Sequence, residues 1–359
     1  MFPVHKEIAV GISVRVLQAN HGDCFLVSYK SSDSVYNLLI DGGNSATFMF
    51  GAQGRYSGEL RCVLDDLKKE DQKIDLVILT HIDDDHIGGL LRAFETPGYL
   101  CQMAPSIWFN SSRFITKHFK VDAISDNDVC LQSSSTQTSV RQGKKLETLL
   151  DEINCERQPI VIAGQKFTRG PFTFTILSPE EDNLRSLLHK WSDEPDPVAT
   201  SGASRDYGMK FEDILSNDQF QSDQSVYNGS SIAFILEADG KAMLFLGDSH
   251  DENIVRNLRS LGFNKGNKLI LDLVKISHHG SQHNTSPEFL SLIDAHHFII
   301  STNGSKHGLP DKRTIARILS SGEGKIGFNY PHIIQEMLHE NEVPLYSSRL
   351  VALNGEIRL

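Results

Sequence analysis

Apolar residues in this chain fall into short runs that stop, repeatedly, at polar turns carrying glycine, aspartate or histidine. Residues 11–17 (GISVRVL) and 25–30 (FLVSYK) have the pattern of a strand pair joined through a polar segment, 18–24. A third strand is predicted over 36–40, ending in Asp41-Gly42-Gly43. Residues 59–69 repeat at helical spacing, with Leu60, Val63, Leu64 and Leu67 on one face. The run 74–80 has the length and β-branched content of a buried strand. It breaks directly into His81, Asp83, Asp84, Asp85 and His86, then Gly88-Gly89 and a helix-like 90–94. A short strand is predicted at 106–109.

The pattern weakens from 111 to 142, a polar insertion, and resumes with a helix over 144–153 and strands over 159–162 and 172–177. Ser178-Pro179-Glu180-Glu181 reads as a helix start, with Ser178 as cap, Pro179 in the first position and Glu181 three residues after the cap. A second polar insertion runs from 192 to 227. Loops this long inside a compact enzyme are usually lids or binding loops, or lack fixed structure. Beyond it, 231–236 and 242–246 form a hairpin pattern ending in Gly247-Asp248, and a helix is predicted over 251–261. The strand 271–277 ends in His278-His279-Gly280, and 297–301 leads into Asn303-Gly304-Ser305-Lys306-His307. A helix at 311–319 and a strand at 349–353 complete the chain. The expected fold class is α/β in two halves, about 1–178 and 228–359, and 359 residues can bury one large core or two ordinary ones.

Composition narrows the setting. The 359 residues are 39% hydrophobic and 23% charged, with no apolar run of membrane-spanning length, so no membrane partner is expected. The start, Met-Phe-Pro-Val-His-Lys-Glu, lacks the pattern of a secretory signal. Five cysteines are scattered with no CxxC pair, which points to a reducing, cytoplasmic compartment and away from a thiolate zinc site. The net charge of -11 argues against a grip on long duplex DNA, which needs a basic surface to displace counterions.

Candidate chemistry sits at the strand ends. Three carboxylates within three residues, at the mouth of a buried strand, repel one another unless something positive lies among them. Two imidazoles beside them make a divalent cation the natural occupant. A helix cap needs one aspartate, not this set. An EF-hand loop starting at Asp83 would need a glutamate where Phe94 stands. Asp41, the 81–86 cluster, Asp248 and His278-His279 each follow an apolar run, which is how a rigid sheet delivers ligands to one edge.

Here the sequence resembles the metallo-β-lactamase superfamily, whose His-x-His-x-Asp-His motif corresponds to His81-Ile82-Asp83-Asp84-Asp85-His86. It is most similar to the metallo-hydrolase domain of ComEC-type competence proteins. The similar segments are His21-Gly22-Asp23-Cys24, LIDGG, THIDDDHIGGL, Asn228-Gly229-Ser230-Ser231, LFLGD, KISHHGS and ISTNGSKHGLP. The resemblance implies a four-layer αββα sandwich and two metal sites. The first would use His81, Asp83 and Asp248, with Asn228 where many members carry histidine. The second would use Asp85, His86, Asp248 and His279, with His278 as the alternative to His279. Aspartate in place of histidine makes the first site oxygen-rich, which widens the expected metal from zinc to manganese, with magnesium also admitted.

The activity implied is that of a metal-dependent phosphodiesterase or nuclease-like enzyme, with a metal-bound hydroxide attacking a phosphodiester or nucleotide. Asp85 and Asp41 are the candidates for orienting the nucleophile, His307 for proton donation, and His283, Lys306 and His307 for binding substrate. Lys275, Lys306 and Lys312 are candidates for a local basic groove. The alternatives are a hydrolase of a carbon ester, thioester or lactam, and a metal-binding scaffold of little activity, with the insertions offering a surface to a protein partner.

Overall fold

A computed structural model describes residues 11–121, 136–192 and 205–359. Parts of both insertions, 122–135 and 193–204, lie outside the described residues, as does Cys130. Cys24, Cys62, Cys101 and Cys155 are free thiols.

Two sheets lie face to face. In the first, the order is Glu356–Arg358, Gly11–Val16, Phe25–Lys30, Val35–Ile40, Leu76–Ile78, Ser106–Trp108 and Glu156–Gln158. The first four strands are antiparallel and the last three continue in parallel from Val35–Ile40. In the second, Leu350–Ala352, Lys325–Phe328, Ile293–Ile300, Leu269–Lys275 and Lys241–Phe245 are parallel neighbours. Antiparallel Ala233–Ala238, Phe172–Ser178 and Lys166–Arg169 finish that sheet. One apolar core lies between the sheets, built from residues such as Val14, Phe25, Ile40 and Trp108 on one side and Phe174, Phe234, Phe245 and Leu273 on the other. Two further cores join each sheet's outer face to helices. The result is the four-layer αββα sandwich of the metallo-β-lactamase fold.

Local sequence explains the helices that matter. Glu59–Lys69 buries Leu60, Val63, Leu64 and Leu67, as their spacing requires. Each such burial contributes about 1.5–3 kcal/mol. Asp84–Glu95 starts where the polar cluster follows strand Leu76–Ile78, with Asp84 and Asp85 at its positive N-terminal end. Its glycines are steric necessities: a Cβ on Gly89 would stand 2.0 Å from the Gly42 carbonyl oxygen. The helix thus rests directly on the Asp41-Gly42-Gly43 turn, through Gly42 N–H to His86 O (2.8 Å) and Gly89 N–H to Gly43 O (2.9 Å).

Several boundaries differ from the sequence expectation. The strand 74–80 is regular only at Leu76–Ile78, because its ends are taken up by turn contacts such as Asp75 N–H to Asn37 O (2.8 Å). The strand expected at 159–162 falls instead on Glu156–Gln158. Pro159 lacks a donor for the ladder, and Val161 N–H goes to the Asn110 side chain (2.8 Å). The helix after Ser178 begins at Glu181, and it is Asn183 Oδ1, not Ser178, that accepts from the Glu180 N–H (3.0 Å). Helix Ser112–Phe119 lies in the first insertion, and the helix expected at 144–153 begins within it, as Thr136–Glu152; Phe211–Ser216 lies in the second, and Val226–Gly229 straddles its end. The final strand Glu356–Arg358, absent from the sequence expectation, returns the chain end to the first sheet.

Candidate metal centre

Both sheets deliver polar groups from the C-terminal ends of parallel strands to one edge of the sandwich. The first sheet supplies Asp41 after Val35–Ile40 and the segment Thr80–His86 after Leu76–Ile78. The second supplies Asp248 after Lys241–Phe245, His278 and His279 after Leu269–Lys275, and Ser301 after Ile293–Ile300. Asp41, His81, His86, Asp248 and His279 are all buried.

The hydrogen bonds fix the tautomers. Asp41 accepts from Thr80 N–H (2.8 Å), from Thr80 Oγ1 (2.8 Å) and from His86 Nδ1 (2.8 Å). With its proton committed to Asp41, Thr80 Oγ1 is left to accept from His81 Nδ1 (3.1 Å). His279 Nδ1 donates to Ser301 O (3.0 Å), and His278 Nδ1 donates to Asn284 Oδ1 (3.1 Å). In all four rings Nδ1–H is occupied, which leaves Nε2 with a free lone pair, the arrangement that outer hydrogen bonds impose on ligating histidines.

Those Nε2 atoms converge on Asp248. His86 Nε2 lies 3.4 Å from Asp248 Oδ1, while His81, His278 and His279 Nε2 lie 3.8, 3.9 and 3.7 Å from Oδ2. Asp85 Oδ2 is 3.6 Å from His279 Nε2, and Asp83 Oδ2 is 3.7 Å from His81 Nε2. Among the described residues, His81, His86 and His279 Nε2 and Asp248 Oδ1 are buried with no hydrogen-bond partner. Buried polar atoms are almost never left so. Their donor chemistry, imidazole nitrogen mixed with carboxylate oxygen, fits divalent cations, and the groups His81/His86/Asp248 and Asp85/His86/His279 each lie close enough to hold one.

The electrostatics agree. Burial works to lower the His86 imidazole, but Asp248 and Asp41 outweigh it and hold it well above its ordinary value. Burial likewise opposes protonation of His279, and Asp248 and Asp23 lift it to about 9. Burial works to raise Asp248, and His86, His279 and His278 hold it well below the carboxylate range. The pocket therefore demands positive charge among its carboxylates, whether from protons or from metal.

Other residues fall into three groups. Asp83, Asp85, Asp248, His278 and His279 line a cavity of about 70 Å³, and Lys306 and His307 line it too. Asp41 does not reach that cavity; it holds His86. Asn228 donates to Asp223 Oδ2 (2.7 Å) and stands 3.3 Å from His278 Nδ1. His283 bonds Gln221 O (2.8 Å) and lines a different cavity with Gln282 and Arg313. Asp84 accepts from Gln142 (2.7 Å), tying the long helix Thr136–Glu152 to the site.

Of the three lysines expected to form a basic groove, Lys306 lines the cavity and Lys275 and Lys312 do not. Both lysines are fully buried, the first paired with Asp23 and the second with Glu342, so neither ammonium faces a ligand. Sequence reading missed His21, which lines the cavity, and the Asp223–Asn284 pair behind His278. His21 stood within a quoted segment, adjoining Gly22-Asp23, and that adjacency was the available signal. Asp223 lies in a polar insertion where nothing marked it.

The face-to-face sheet sandwich carries a candidate histidine–carboxylate metal centre at its edge, the arrangement of the metallo-β-lactamase fold. Residues 19–133, about a third of the chain, match the family model described as "Metallo-beta-lactamase superfamily". Asp248, His278 and His279 lie beyond the matched segment. No curated protein matches the sequence. Among solved structures, the chain is similar to the metallo-β-lactamase fold protein YhfI from Bacillus subtilis, at 13% identity and TM-score 0.39 over 88% of this chain and 96% of that one. It is similar to Zn(2+)-bound PqqB from Methylobacterium extorquens, at 12% identity and TM-score 0.41 over 97% and 99%. It is also similar to unliganded yeast PDE1, at 12% identity and TM-score 0.40 over 98% and 100%. Among the described residues no helix is long and apolar enough to cross a membrane.

Proposed function

We propose that the protein is a two-metal phosphodiesterase acting on a small or single-stranded phosphodiester or a nucleotide. The observation that carries this reading is the set of four buried, partnerless donor atoms, His81, His86 and His279 Nε2 and Asp248 Oδ1, gathered around one carboxylate. His81, Asp83 and Asp248 would hold one cation, and Asp85, His86, Asp248 and His279 the other. Bound divalent cations supply Lewis-acid charge for phosphoryl oxygens and acidify water.

This chain's own residues do the rest. Asp41 and Ser301 keep His86 and His279 oriented through their Nδ1–H groups. Asp85, on the cavity wall, accepts the proton of the attacking water. Lys306 and His307 face the same cavity and bind the non-bridging oxygens. A lining of this kind, with Leu309 its one aliphatic side chain, favours an anionic phosphoryl group over an apolar acyl group.

The test is a parallel screen of bis(4-nitrophenyl) phosphate, a thioester and nitrocefin after loading with Mn²⁺ or Zn²⁺. The expected result is turnover of the diester, abolished in Asp248→Asn and Asp85→Ala. Turnover of the thioester or the lactam with none of the diester would replace this reading with a carbon-centred hydrolase. A loaded protein inert toward all three would leave a binding scaffold.

A further inference from the structure

The first site lacks the histidine that Asn228 stands in for, and the second histidine of the 278–279 pair satisfies only the other site. We infer that His278 is a ligand of the first cation, so that one turn of chain serves both metals. This rests on the two-metal reading above and assigns one residue within it.

Three independent observations carry it. The first is convergence: His278 Nε2 lies 3.9 Å from Asp248 Oδ2, an oxygen that His81 Nε2 approaches at 3.8 Å and His279 Nε2 at 3.7 Å, and His278 lines the same cavity as Asp83. The second is the outer network. His278 Nδ1 donates to Asn284 Oδ1 (3.1 Å), with Asp223 Oδ2 at 3.6 Å behind it. Asp223 is itself gripped by Asn228 Nδ2 (2.7 Å) and Asn284 Nδ2 (2.9 Å). Asp223 and Asn228 from one segment and Asn284 from another thus surround one partly exposed ring, the kind of outer support that ligating histidines receive.

The third is backbone. His278 and His279 both adopt left-handed conformations, at φ 46° ψ 52° and φ 53° ψ 19°. Non-glycine residues rarely occupy that region, and two in succession call for a reason. Such strain gathers at functional sites, where surrounding contacts over-determine it. Here His278 N–H is held by Gly247 O (3.0 Å) and the turn sends neighbouring imidazoles to the same carboxylate. Asn228, meanwhile, does not line the cavity that Asp83, Asp248 and His278 share, and its amide donates to Asp223, which makes it a positioning residue for His278 in place of a ligand.

The experiment is metal content per chain by elemental analysis, with each affinity read by competition against a chromophoric chelator. The wild-type protein should hold two Mn²⁺ or Zn²⁺ ions. His278→Ala should hold one, and Asp223→Asn, which keeps the imidazole, should bind one of its two ions at least tenfold more weakly. Asn228→Ala should retain two ions. Melting of the metal-free forms should show His278→Ala to be folded; were it not, the affinity split in Asp223→Asn decides the matter alone. Two ions of unchanged affinity in His278→Ala and Asp223→Asn would overturn the assignment while leaving the two-metal reading intact. Loss of an ion from Asn228→Ala with His278→Ala unaffected would return the ligand role to Asn228. A wild-type protein that takes up no metal would sink both the reading and this inference.

Discussion

Lys275 and Lys312 are both fully buried and both paired with a carboxylate, yet they sit in different chemistry. Lys312 belongs to the outer helical layer of the second sheet. Its ammonium bonds Glu342 Oε2 (2.7 Å) and Met337 O (2.9 Å) and lies 4.6 Å from the centre of the Phe211 ring. Lys275 lies beneath the candidate metal centre. It contacts Asp23, Gly247 O (2.8 Å) and, at 3.7 Å, Asp248 Oδ1, while Asp23 Oδ1 also approaches His279 Nδ1 (3.3 Å). Burial opposes its charge, but Asp23 and Asp248 keep the lysine pKa raised. One pair closes a fold. The other also sets the charge around ligands, so two similar ion pairs should fail in different ways.

The largest effect separates them. Lys275→Met and Lys312→Met each leave a buried carboxylate unpaired, which typically costs about 3–5 kcal/mol. Denaturant unfolding of the metal-free proteins should show comparable losses. Only Lys275→Met should also shift metal affinity, and upward, because it removes a competing positive charge 3.7 Å from Asp248; equal metal affinity in the two variants would erase the distinction.

A buried carboxylate without a lysine sharpens the contrast. Asp251 accepts from Ser286 N–H (2.7 Å), and burial, reinforced by Glu288, lifts it to about 6 although Ser286 and Arg317 pull the other way. A raised carboxyl favours folding below its ordinary value near 4 and loses that contribution as pH rises through 6. Asp251→Asn should therefore exceed the parent in stability at pH 8 by up to about 3 kcal/mol and gain nothing at pH 4. Paired urea titrations at the two pH values check the sign.

Smaller effects follow nearer the surface of the site. Asp41→Asn keeps the shape but weakens the hold on His86 Nδ1, and metal affinity should fall about 10–100-fold in a chelator competition. Lys306→Ala, at the cavity wall, should raise KM for a diester about fivefold with kcat nearly unchanged, the loss of about 1 kcal/mol of uniform binding. A kcat loss without a KM change would place Lys306 in the transition state instead.

Sequence alone carried far where chemistry and strand ends coincide. Asp41, Asp248 and the 81–86 cluster were legible because each ends an apolar run; runs of that kind gave mixed α/β in two halves, while the four-layer sandwich came from the family resemblance. Lys275 and Lys312 misled because a charged residue beside a motif reads as exposed, while burial is decided by partners such as Asp23 and Glu342 hundreds or tens of residues away. The support around His278 was hidden for the same reason: Asp223, Asn228 and Asn284 meet only after folding. Strand 156–158 was missed because a short edge strand without strong β-formers has no periodic signal.

The claim that matters most is that cations sit around Asp248. Crystals grown with Mn²⁺ and measured at its absorption edge test it directly. The account predicts two anomalous peaks sharing the Asp248 carboxylate, one beside His81 and one beside His86 and His279. A map with no peak there, or with manganese bound only elsewhere, would contradict it.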